Sequence, residues 1–491
     1  MSSSRKGNNM SVKKLGHRAK RVLTGVGAVM LAVGTLGLGG SAASAVGIGN
    51  IDPTQTGSIT ITKLTQPDQV GGIAGSGAIE SLPAGSLPLE GVEFTVSPVE
   101  GVDLTTLEGW QDVPEMTVDE ARSLGLGAPQ SLTTAADGTA TFANLPLGLY
   151  LVEETDFSSA KQNGEDVQIT SASKPYLVAV PSYIEEAWHY DIFSYPKNST
   201  SEISKTVDES EALGLGSPVA WDISAQVPKL GAGDVLEGLR LTDALDPRLG
   251  YVSVSDVAYN GTALAASDYT AEFIDGEVVV TLTAAGLAQV QGDASGYALT
   301  FSINTRVTSL GDDGIVKNSV SAFINVNGQE NPITSKEDTT EWGALRIVKS
   351  DEANGQALAG AVFEVFASEA DAEQGANPIA VDGATEFTTG DDGTVLIAGL
   401  LTDADTHSKT YYVKEKAAPA GYILSDTVHA VDVVTGGIAA PVDLSISNTA
   451  FAFPNLPITG GAGTALFTLG GLIVLAGATT LILRHRRKIG A

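Results

Sequence analysis

Between residues 50 and 455, hydrophobic residues recur mainly at every second position, in short runs rich in Val, Ile and Thr. This alternation predicts β-strands with one buried face, because successive side chains of a strand point to opposite sides. The runs end at Gly, Asp, Asn or Pro, and their close spacing is typical of β-sandwiches. Residues 119–126 are an exception and predict a short helical insertion. The sequence therefore predicts an all-β body.

Two parts of this body repeat a common pattern. "ITITKL", "LEGVEFTV" and "AADGTATFANL" follow one another within residues 59–155, and "LRIVKS", "LAGAVFEV" and "GDDGTVLIAGL" do so within residues 345–422. Each part contains an Asp-Gly pair, which is a turn signal between strands. The residues between the two parts alternate differently but still predict strands. We therefore expect three tandem β-sandwich domains with the bounds 46–199, 200–341 and 342–452.

Charged and amide residues occur on the hydrophobic face of several predicted strands. Lys63, for example, shares one face with Ile59 and Ile61, since positions i, i+2 and i+4 of a strand point the same way. Similar lysines begin the other two domains, acids lie in later strands, and asparagines lie near domain ends. The polar residues that lie on the hydrophobic face of a predicted strand in this way are Lys63, Lys205, Lys349, Glu154, Asp243, Glu415, Asn318 and Asn448.

Two interpretations of these residues are open, because a buried charge is costly unless it is paired or neutralised. Each lysine could lean inward from an edge strand and keep its ammonium group in water, which discourages aggregation. Alternatively, burial yields a neutral amine, and a protonated carboxylic acid polarises the Asn carboxamide. The amine then attacks the amide carbon, ammonia leaves and an isopeptide bond remains. The recurrence of one Lys, one acid and one Asn in each domain favours this second interpretation.

The two ends of the chain predict an export signal and a membrane span, respectively. Residues 1–45 combine a basic stretch, an apolar stretch and the small-residue site Ala43-Ser44-Ala45, which predicts a signal peptide cleaved before Val46. A plain N-terminal anchor is the alternative. Residues 461–483 carry no charge, and at about 1.5 Å per residue they can cross a hydrocarbon core of roughly 30 Å. The basic "RHRRK" behind them should stay cytoplasmic.

Composition narrows the possible functions. The chain has 491 residues and a formal charge of -30, and all 58 acidic residues lie between the two basic ends. Such an acidic body disfavours nucleic acid, whose binding relies on Lys and Arg, and suits an exposed surface protein. Cysteine is absent, which excludes disulfides and thiol nucleophiles. The five histidines form no metal-ligand pattern, and turn chemistry accounts for the acidic loop 390–393, so we expect neither a cofactor nor a metal.

Three short motifs are distinctive. "LPITG" (456–460) precedes the apolar span and basic tail and fits an LPxTG sorting motif. "WHYDIFSYPKN" (188–198) fits the pilin motif WxxxVxVYPKN, with Ser194 in place of the usual Val. "YYVKEKAAPAGY" (411–422) fits the E-box YxLxETxAPxGY, with two substitutions. With these motifs, nearly the whole chain resembles the major shaft pilins of Gram-positive bacteria, which sortases assemble and which are built from immunoglobulin-like, Cna-type domains.

The resemblance implies roles for individual residues. Sortase would cleave between Thr459 and Gly460 and hold Thr459 as a thioester, which Lys197 of another subunit would attack. Within one subunit the resemblance implies three isopeptide bonds, namely Lys63–Asn198 promoted by Glu154, Lys205–Asn318 promoted by Asp243, and Lys349–Asn448 promoted by Glu415. The motif residues are Leu456, Pro457, Ile458, Thr459 and Gly460 of the sorting motif, in segment 453–491, and Trp188, Tyr195, Pro196 and Lys197 of the pilin motif.

These features predict a structural subunit rather than an enzyme, namely the shaft of a covalently polymerised surface pilus that supports adhesion. The expected partners are pilus-specific and housekeeping sortases, identical subunits and peptidoglycan, with tip pilins, base pilins and a host receptor as further candidates. The protein should be secreted and anchored to the cell wall after transient membrane retention. The alternative is a wall-anchored monomeric adhesin that binds host matrix or glycoprotein, which would not need Lys197.

Overall fold

In the computed structural model of the protein, strands predominate and helices are short. The prediction of an all-β chain built from β-sandwich domains is confirmed. Within the described part of the chain, no helix is both long enough and apolar enough to span a membrane. The predicted signal peptide, the sorting motif and the apolar span 461–483 lie outside the described residues. The described residues are 51–67, 76–111, 113–231, 233–291 and 296–452.

The N-terminal region forms several small sheets around a core that includes Ile59, Phe94 and Val152. Its main sheets have the strand orders β13-β1-β5, β10-β6-β3-β4 and β2-β14-β9. The alternating burial of β1 shows the predicted period of two. The strands are β1 Gly57–Thr62, β2 Leu64–Thr65, β3 Glu93–Pro98, β4 Gln130–Thr133, β5 Thr139–Leu145, β6 Gly148–Asp156, β7 Lys161–Gln162, β8 Glu165–Asp166, β9 Gln168–Ser171, β10 Tyr176–Val180, β11 Ser182–Ile184, β12 Ala187–His189, β13 Asp191–Ser194 and β14 Lys197–Ser201.

A helical insertion interrupts this region between β3 and β4. It comprises α1 Leu107–Gln111, the 3₁₀ helix Val113–Glu115 and α2 Val118–Leu124. Thr117 caps α2 by accepting a hydrogen bond from the Glu120 backbone N–H, and the Glu120 side chain accepts from the Thr117 backbone N–H at 2.8 Å. This reciprocal capping box explains why a helix begins here. The predicted helical insertion is therefore present.

The middle region is a sandwich of two five-stranded sheets, β15-β16-β22-β18-β19 and β20-β21-β17-β24-β25. Trp221 is completely buried in the core between them. The elements are β15 Ile203–Asp208, β16 Pro218–Gln226, β17 Leu236–Ala244, β18 Leu249–Tyr259, β19 Thr262–Ala263, β20 Tyr269–Ile274, β21 Glu277–Leu282, α3 Ala284–Val290, β22 Ala298–Val307, β23 Ile315–Asn318, β24 Ser321–Val326 and β25 Gln329–Thr334.

The C-terminal region contains the sheets β23-β26-β29, with β32 also paired to β26, and β28-β27-β30-β31. Strand β26 crosses the predicted boundary at residues 341 and 342, since its first part pairs with β23 and its later part with β29. One continuous strand thus runs from the middle region, where it pairs with β23, into the C-terminal sheet. The elements are β26 Asp338–Asp351, β27 Val362–Phe366, α4 Glu369–Gln374, β28 Phe387–Thr388, β29 Thr394–Thr402, β30 Ser408–Ala417, β31 Val428–Val434 and β32 Val442–Asn448.

Parallel pairing between early and late strands positions the candidate site residues. In the N-terminal region, β2 pairs with β14, so that Thr65 lies opposite Asn198. In the C-terminal region, β26 pairs with β32 over seven positions, from Leu345 opposite Val442 to Asp351 opposite Asn448. The paired strands therefore bring Lys63, just before β2, and Lys349, near the end of β26, beside asparagines of late strands that are far away in sequence.

Candidate functional site: three buried Lys–acid–Asn clusters and a linkage lysine

The structure brings the predicted lysines, acids and asparagines together in three separate clusters. The three lysines are almost completely buried, with exposed fractions of 0% for Lys63, 5% for Lys205 and 0% for Lys349. Their ammonium groups therefore do not reach water in the manner of edge-strand lysines. The cluster members are Lys63, Glu154 and Asn198; Lys205, Asp243 and Asn318; and Lys349, Glu415 and Asn448.

In the N-terminal cluster the three side chains form a closed triangle. Lys63 Nζ lies 2.9 Å from Glu154 Oε2 and also donates to Asn198 Oδ1. Asn198 Nδ2 donates to Glu154 Oε1 at 2.5 Å. The Ser173 hydroxyl donates to Glu154 Oε2 at 2.7 Å, which fixes the second carboxyl oxygen. The amine, the carboxamide and the carboxyl group are thus mutually oriented.

The C-terminal cluster has the same arrangement. Lys349 Nζ donates to Asn448 Oδ1 and lies 3.4 Å from Glu415 Oε1. Asn448 Nδ2 donates to both Glu415 oxygens at 2.9 Å, and the Ser425 backbone N–H donates to Glu415 Oε2 at 3.1 Å. Ser425 therefore holds the Glu415 carboxyl group through its backbone N–H, whereas Ser173 holds the Glu154 carboxyl group through its hydroxyl. The sequence repeat thus extends to the geometry of the buried polar groups.

The middle cluster differs from the other two. Lys205 Nζ donates to Asp243 Oδ2 and, at 3.5 Å, to the Ser319 backbone carbonyl. Asn318 Nδ2 lies 3.5 Å from the same Asp243 oxygen. Asp243 Oδ1 and Asn318 Oδ1 are buried without hydrogen-bond partners among the described residues. In this cluster the amine contacts the acid more closely than it contacts the carboxamide.

An aromatic ring lies next to each buried amine. The distance from Nζ to the ring centroid is 5.6 Å from Lys63 to Phe94, 5.1 Å from Lys205 to Trp221 and 5.9 Å from Lys349 to Phe363. Such a ring excludes water and interacts favourably with a cation through its face. Sequence reasoning missed these residues. The Phe common to "EGVEF" and "AGAVF" in the two repeats was the signal that could have identified two of them.

Burial changes the protonation of these groups in the direction that amide formation requires. Loss of hydration lowers the pKa of Lys63 and of Lys205 to about 8, with the adjacent carboxylates opposing this shift. Burial also lowers the pKa of Lys349, against the effect of Glu415. It raises the pKa of the Asp243 carboxyl group, against the effect of Lys205. A neutral amine is therefore accessible near neutral pH.

Tight Asp-Gly turns hold the backbone of two of the lysines. Lys63 N–H donates to the Gly138 carbonyl at 2.8 Å, and Lys349 N–H donates to the Gly393 carbonyl at 2.8 Å. Both glycines have positive φ, +77° and +72°. A Cβ atom on either one would lie 2.6 Å from the carbonyl oxygen of the lysine that it supports. Glycine is therefore required here for both conformation and space.

The pilin motif runs from β12 through β13 to the start of β14. Trp188 lies on β12 and packs against Trp110 and Tyr183, with ring centroids 5.2 and 5.1 Å away. Pro196 lies between β13 and β14, and its carbonyl accepts from the Leu64 backbone N–H at 3.0 Å. Lys197 begins β14 beside the completely buried Asn198.

Lys197 itself is half-buried, and its Nζ donates to the Tyr195 carbonyl at 3.1 Å. Burial lowers the pKa of Lys197, whereas the negative charge of Glu80 raises it. The sequence interpretation did not include Glu80. The predicted acyl partner of Lys197 is Thr459 of the sorting motif. This residue lies outside the described residues, as do Leu456, Pro457, Ile458 and Gly460.

One histidine also lies close to a cluster. His429 pairs with Val413 across β30 and β31, which places it on the inner face that Val413 shares with Glu415. Its Nε2 is buried without a partner among the described residues. Burial and the charge of Lys349 lower the pKa of His429. Within the described ranges, no group of three or more His, Cys, Asp or Glu residues could hold a metal ion.

Tandem β-sandwich domains, each with a buried amine–acid–carboxamide cluster, define a class of structural domains that hold the groups for an internal amide. Comparisons with known proteins agree with this class. Residues 54–199 match the N-terminal domain of Gram-positive pilin subunit D1, residues 343–447 match a prealbumin-like fold domain, and residues 454–489 match the LPXTG cell wall anchor motif.

Relatives and a solved structure cover most of the chain. It is 29% identical to fimbrial subunit type 2 of Actinomyces naeslundii, across 96% of this chain and 97% of that one. It is 27% identical to fimbrial subunit type 1 of Actinomyces viscosus, across 89% and 92%. The full-length major pilin SpaD from Corynebacterium diphtheriae superposes with a TM-score of 0.67 at 29% identity, covering 82% of this chain and 99% of that one. The chain thus contains Gram-positive pilin domains and a cell wall anchor motif, and it is similar over most of its length to fimbrial subunits and to a major pilin.

Proposed function

We propose that this pilin is the shaft subunit of a covalent polymer in which sortase joins Thr459 of one copy to Lys197 of the next. The observation that carries this proposal is the arrangement of β14. Its first residue, Lys197, reaches the surface in part, and its second, Asn198, is buried in the N-terminal cluster. One short strand therefore supports both an amine for a neighbouring molecule and an amide for an internal crosslink.

The intermolecular step is an acyl transfer. Sortase cleaves the bond between Thr459 and Gly460 and holds the Thr459 carbonyl as a thioester on its cysteine. The neutral Lys197 amine attacks this carbonyl, the carbon–sulfur bond breaks, and the proton released from nitrogen passes to the sulfur. The products are a Thr459–Lys197 amide and the free sortase thiol. The partial burial of Lys197 supports this role, because it favours the neutral amine.

The internal step is the formation of one amide in each domain, between Lys63 and Asn198, Lys205 and Asn318, and Lys349 and Asn448. The lysine Nζ attacks the Asn Cγ, and the bond from Cγ to Nδ2 breaks. Glu154, Asp243 or Glu415 passes the proton from Nζ to Nδ2, and ammonia leaves. The folded chain supplies the proximity that makes this otherwise slow reaction feasible.

The internal bonds connect early strands to late strands, which is the geometry that resists pulling along the shaft. The link from Lys349 to Asn448 joins parallel neighbours β26 and β32. A tensile force on the chain ends would otherwise separate such strands. Sortases, further copies of the chain and peptidoglycan are the partners that this function requires, and tip and base pilins would complete the fibre.

The test is Lys197→Ala in the native host, with Lys161→Ala as the matched control. Lys161 belongs to the same domain, and its side chain is 44% exposed. We expect denaturing gels to lose the high-mass ladder in Lys197→Ala and to keep it in Lys161→Ala. A ladder that persists unchanged in Lys197→Ala would overturn the shaft assignment and favour a wall-anchored monomeric adhesin.

A further inference from the structure

The surroundings of Lys197 include a segment that the pilin motif does not contain. Residues 76–80 lie across the end of β13 and the residues that precede Lys197. The Gly77 carbonyl accepts a hydrogen bond from the Phe193 backbone N–H at 2.8 Å, and Glu80 N–H donates to the Tyr195 hydroxyl at 2.9 Å. Two hydrogen bonds thus join this segment to the chain that leads into Lys197.

Close packing supports the same attachment. Gly77 has φ +85°, and a Cβ atom there would lie 2.9 Å from Ile184 Cδ1 and 3.5 Å from Ile192 Cγ2. The segment therefore approaches the N-terminal core at a position whose left-handed backbone favours glycine. Glu80 is also held within the segment, since its Oε1 accepts from the Ser76 backbone N–H at 2.6 Å. Its carboxylate is fixed by local contacts.

We propose that residues 76–80 are the positioning element of the linkage lysine, with Tyr195 anchoring the segment and thereby holding Glu80 beside the chain that leads into Lys197. This inference rests on the proposed role of Lys197 and extends it to residues outside the motif. It also gives Tyr195 a physical function: its carbonyl accepts from Lys197 Nζ at 3.1 Å, and its hydroxyl holds Glu80.

The charged groups near Lys197 come from two other elements. Glu80 comes from the 76–80 segment and favours the ammonium form of Lys197. Lys63, between β1 and β2, repels the charge of Lys197. Burial has the larger influence and favours the neutral amine. Removing the Glu80 charge and releasing the segment should therefore change the protonation of Lys197 in opposite directions.

The experiment is competitive trace acetylation of the full-length protein, extracted from membranes of a strain that lacks its pilus sortase. The reactivity of Lys197 is measured by mass spectrometry against pH, with the exposed Lys317 as the reference amine. We expect Glu80→Gln to make Lys197 about threefold or more as reactive at pH 8, because loss of the Glu80 charge lowers the pKa of Lys197 and so raises its neutral fraction. Tyr195→Phe should move the midpoint to higher pH, because it exposes the amine.

Glu272→Gln is the matched control, since it removes one exposed carboxylate from the middle domain. Glu80→Asp should restore a midpoint near that of the unaltered protein. Equal midpoints in Glu80→Gln and Glu272→Gln would overturn the proposal.

The sortase-catalysed rate, measured against pH, should follow the same shifts. If Lys197→Ala abolishes the polymer while Glu80→Gln leaves the midpoint unchanged, the positioning role alone fails. If Lys197→Ala still polymerises, the proposed linkage itself fails.

Discussion

Asn448 donates its carboxamide N–H groups to both oxygens of Glu415, each at 2.9 Å. This bidentate contact leaves Asn448 Oδ1 facing Lys349 Nζ. In the proposed reaction, the acid thus orients the amide nitrogen that leaves, while the amine meets the carbonyl that it attacks. The N-terminal cluster repeats this relationship with Glu154 and Asn198.

The mass of the exported chain should reveal the internal bonds. We expect intact-mass measurement to fall short of the sequence value by three ammonia molecules, one for each buried Lys–Asn pair. Lys174, Asp234 and Asn327 provide an internal control, because they include the same residue types and share Asp234 Oδ1. The Lys174 side chain is 60% exposed, so it should remain a charged, unreacted amine. A deficit of four would contradict the requirement for burial, and a chain of full mass would contradict the internal bonds themselves.

Glu415→Gln should prevent the bond in the C-terminal domain, because glutamine cannot pass a proton from Nζ to Nδ2. The mass deficit should fall to two, and the free energy of unfolding of that domain should decrease by at least about 4 kcal/mol. That figure is the loop-closure contribution of a crosslink spanning about 100 residues. Glu364→Gln is the control, since Glu364 pairs with Lys416 on the same sheet. If Glu415→Gln keeps all three losses, Glu415 does not promote the reaction.

The middle bond should form last. Asn318 lies 3.5 Å from Asp243, whereas Asn198 lies 2.5 Å from Glu154, so the middle carboxamide must reorient before attack. Time-resolved mass spectrometry of the full chain, made by cell-free synthesis, should show an intermediate that has lost two ammonia molecules. Peptide mapping should assign both losses to the outer domains. An intermediate crosslinked first between Lys205 and Asn318 would contradict this order.

Bond formation should accelerate with pH up to about pH 8 in the N-terminal and middle domains. Burial lowers the pKa of Lys63 and of Lys205 to about 8, and only the neutral amine is nucleophilic. Below that value the rate should rise roughly tenfold per pH unit, and above it the rate should level off. The same cell-free chain, sampled over time at several pH values, provides the measurement. A rate that still rises beyond pH 9.5 would indicate lysines with ordinary pKa values.

Gly393→Ala should slow the C-terminal bond, and Gly355→Ala should not. Both glycines have φ +72°, but a Cβ atom at Gly393 would lie 2.6 Å from the Lys349 carbonyl oxygen, whereas one at Gly355 has nothing within 4 Å. Both variants carry the left-handed strain of about 1–2 kcal/mol. Only Gly393→Ala also displaces Lys349, which should slow ammonia loss by about tenfold or more. Equal rates in the two variants would show that the turn does not position the lysine.

Much of the fold could be predicted from the sequence because strand alternation is local. The period of two placed Lys63 and Lys349 on hydrophobic faces, and both are completely buried. The repeated Asp-Gly pairs marked turns, and Gly138 and Gly393 have the positive φ of such turns. Periodicity assigns a residue to one face of a strand, however, and does not determine which residue of another strand lies beside it.

Asn198 is a residue that strand alternation could not assign to a buried face. Pro196 interrupts the alternation between β13 and β14, so parity did not place Asn198, and only the resemblance to pilins suggested its role. The parallel pairing of β2 with β14 decides its position opposite Thr65. Such pairing depends on strands that are distant along the chain, and the order of strands in a sheet is a property of the whole fold.

The sequence by itself determined the all-β class, the repeat, the position of the three lysines on hydrophobic strand faces and the motif that contains Lys197. The resemblance to pilins implied the three Lys–Asn pairs, and the tertiary structure decided how their groups meet. The amine donates to the carboxamide in the N- and C-terminal clusters and to the acid in the middle cluster. The tertiary structure also brought Phe94 to Lys63 and Glu80 to Lys197. The physical reason is that face and turn follow from neighbouring residues, whereas burial, charge proximity and protonation depend on groups that only the packed sheets bring together.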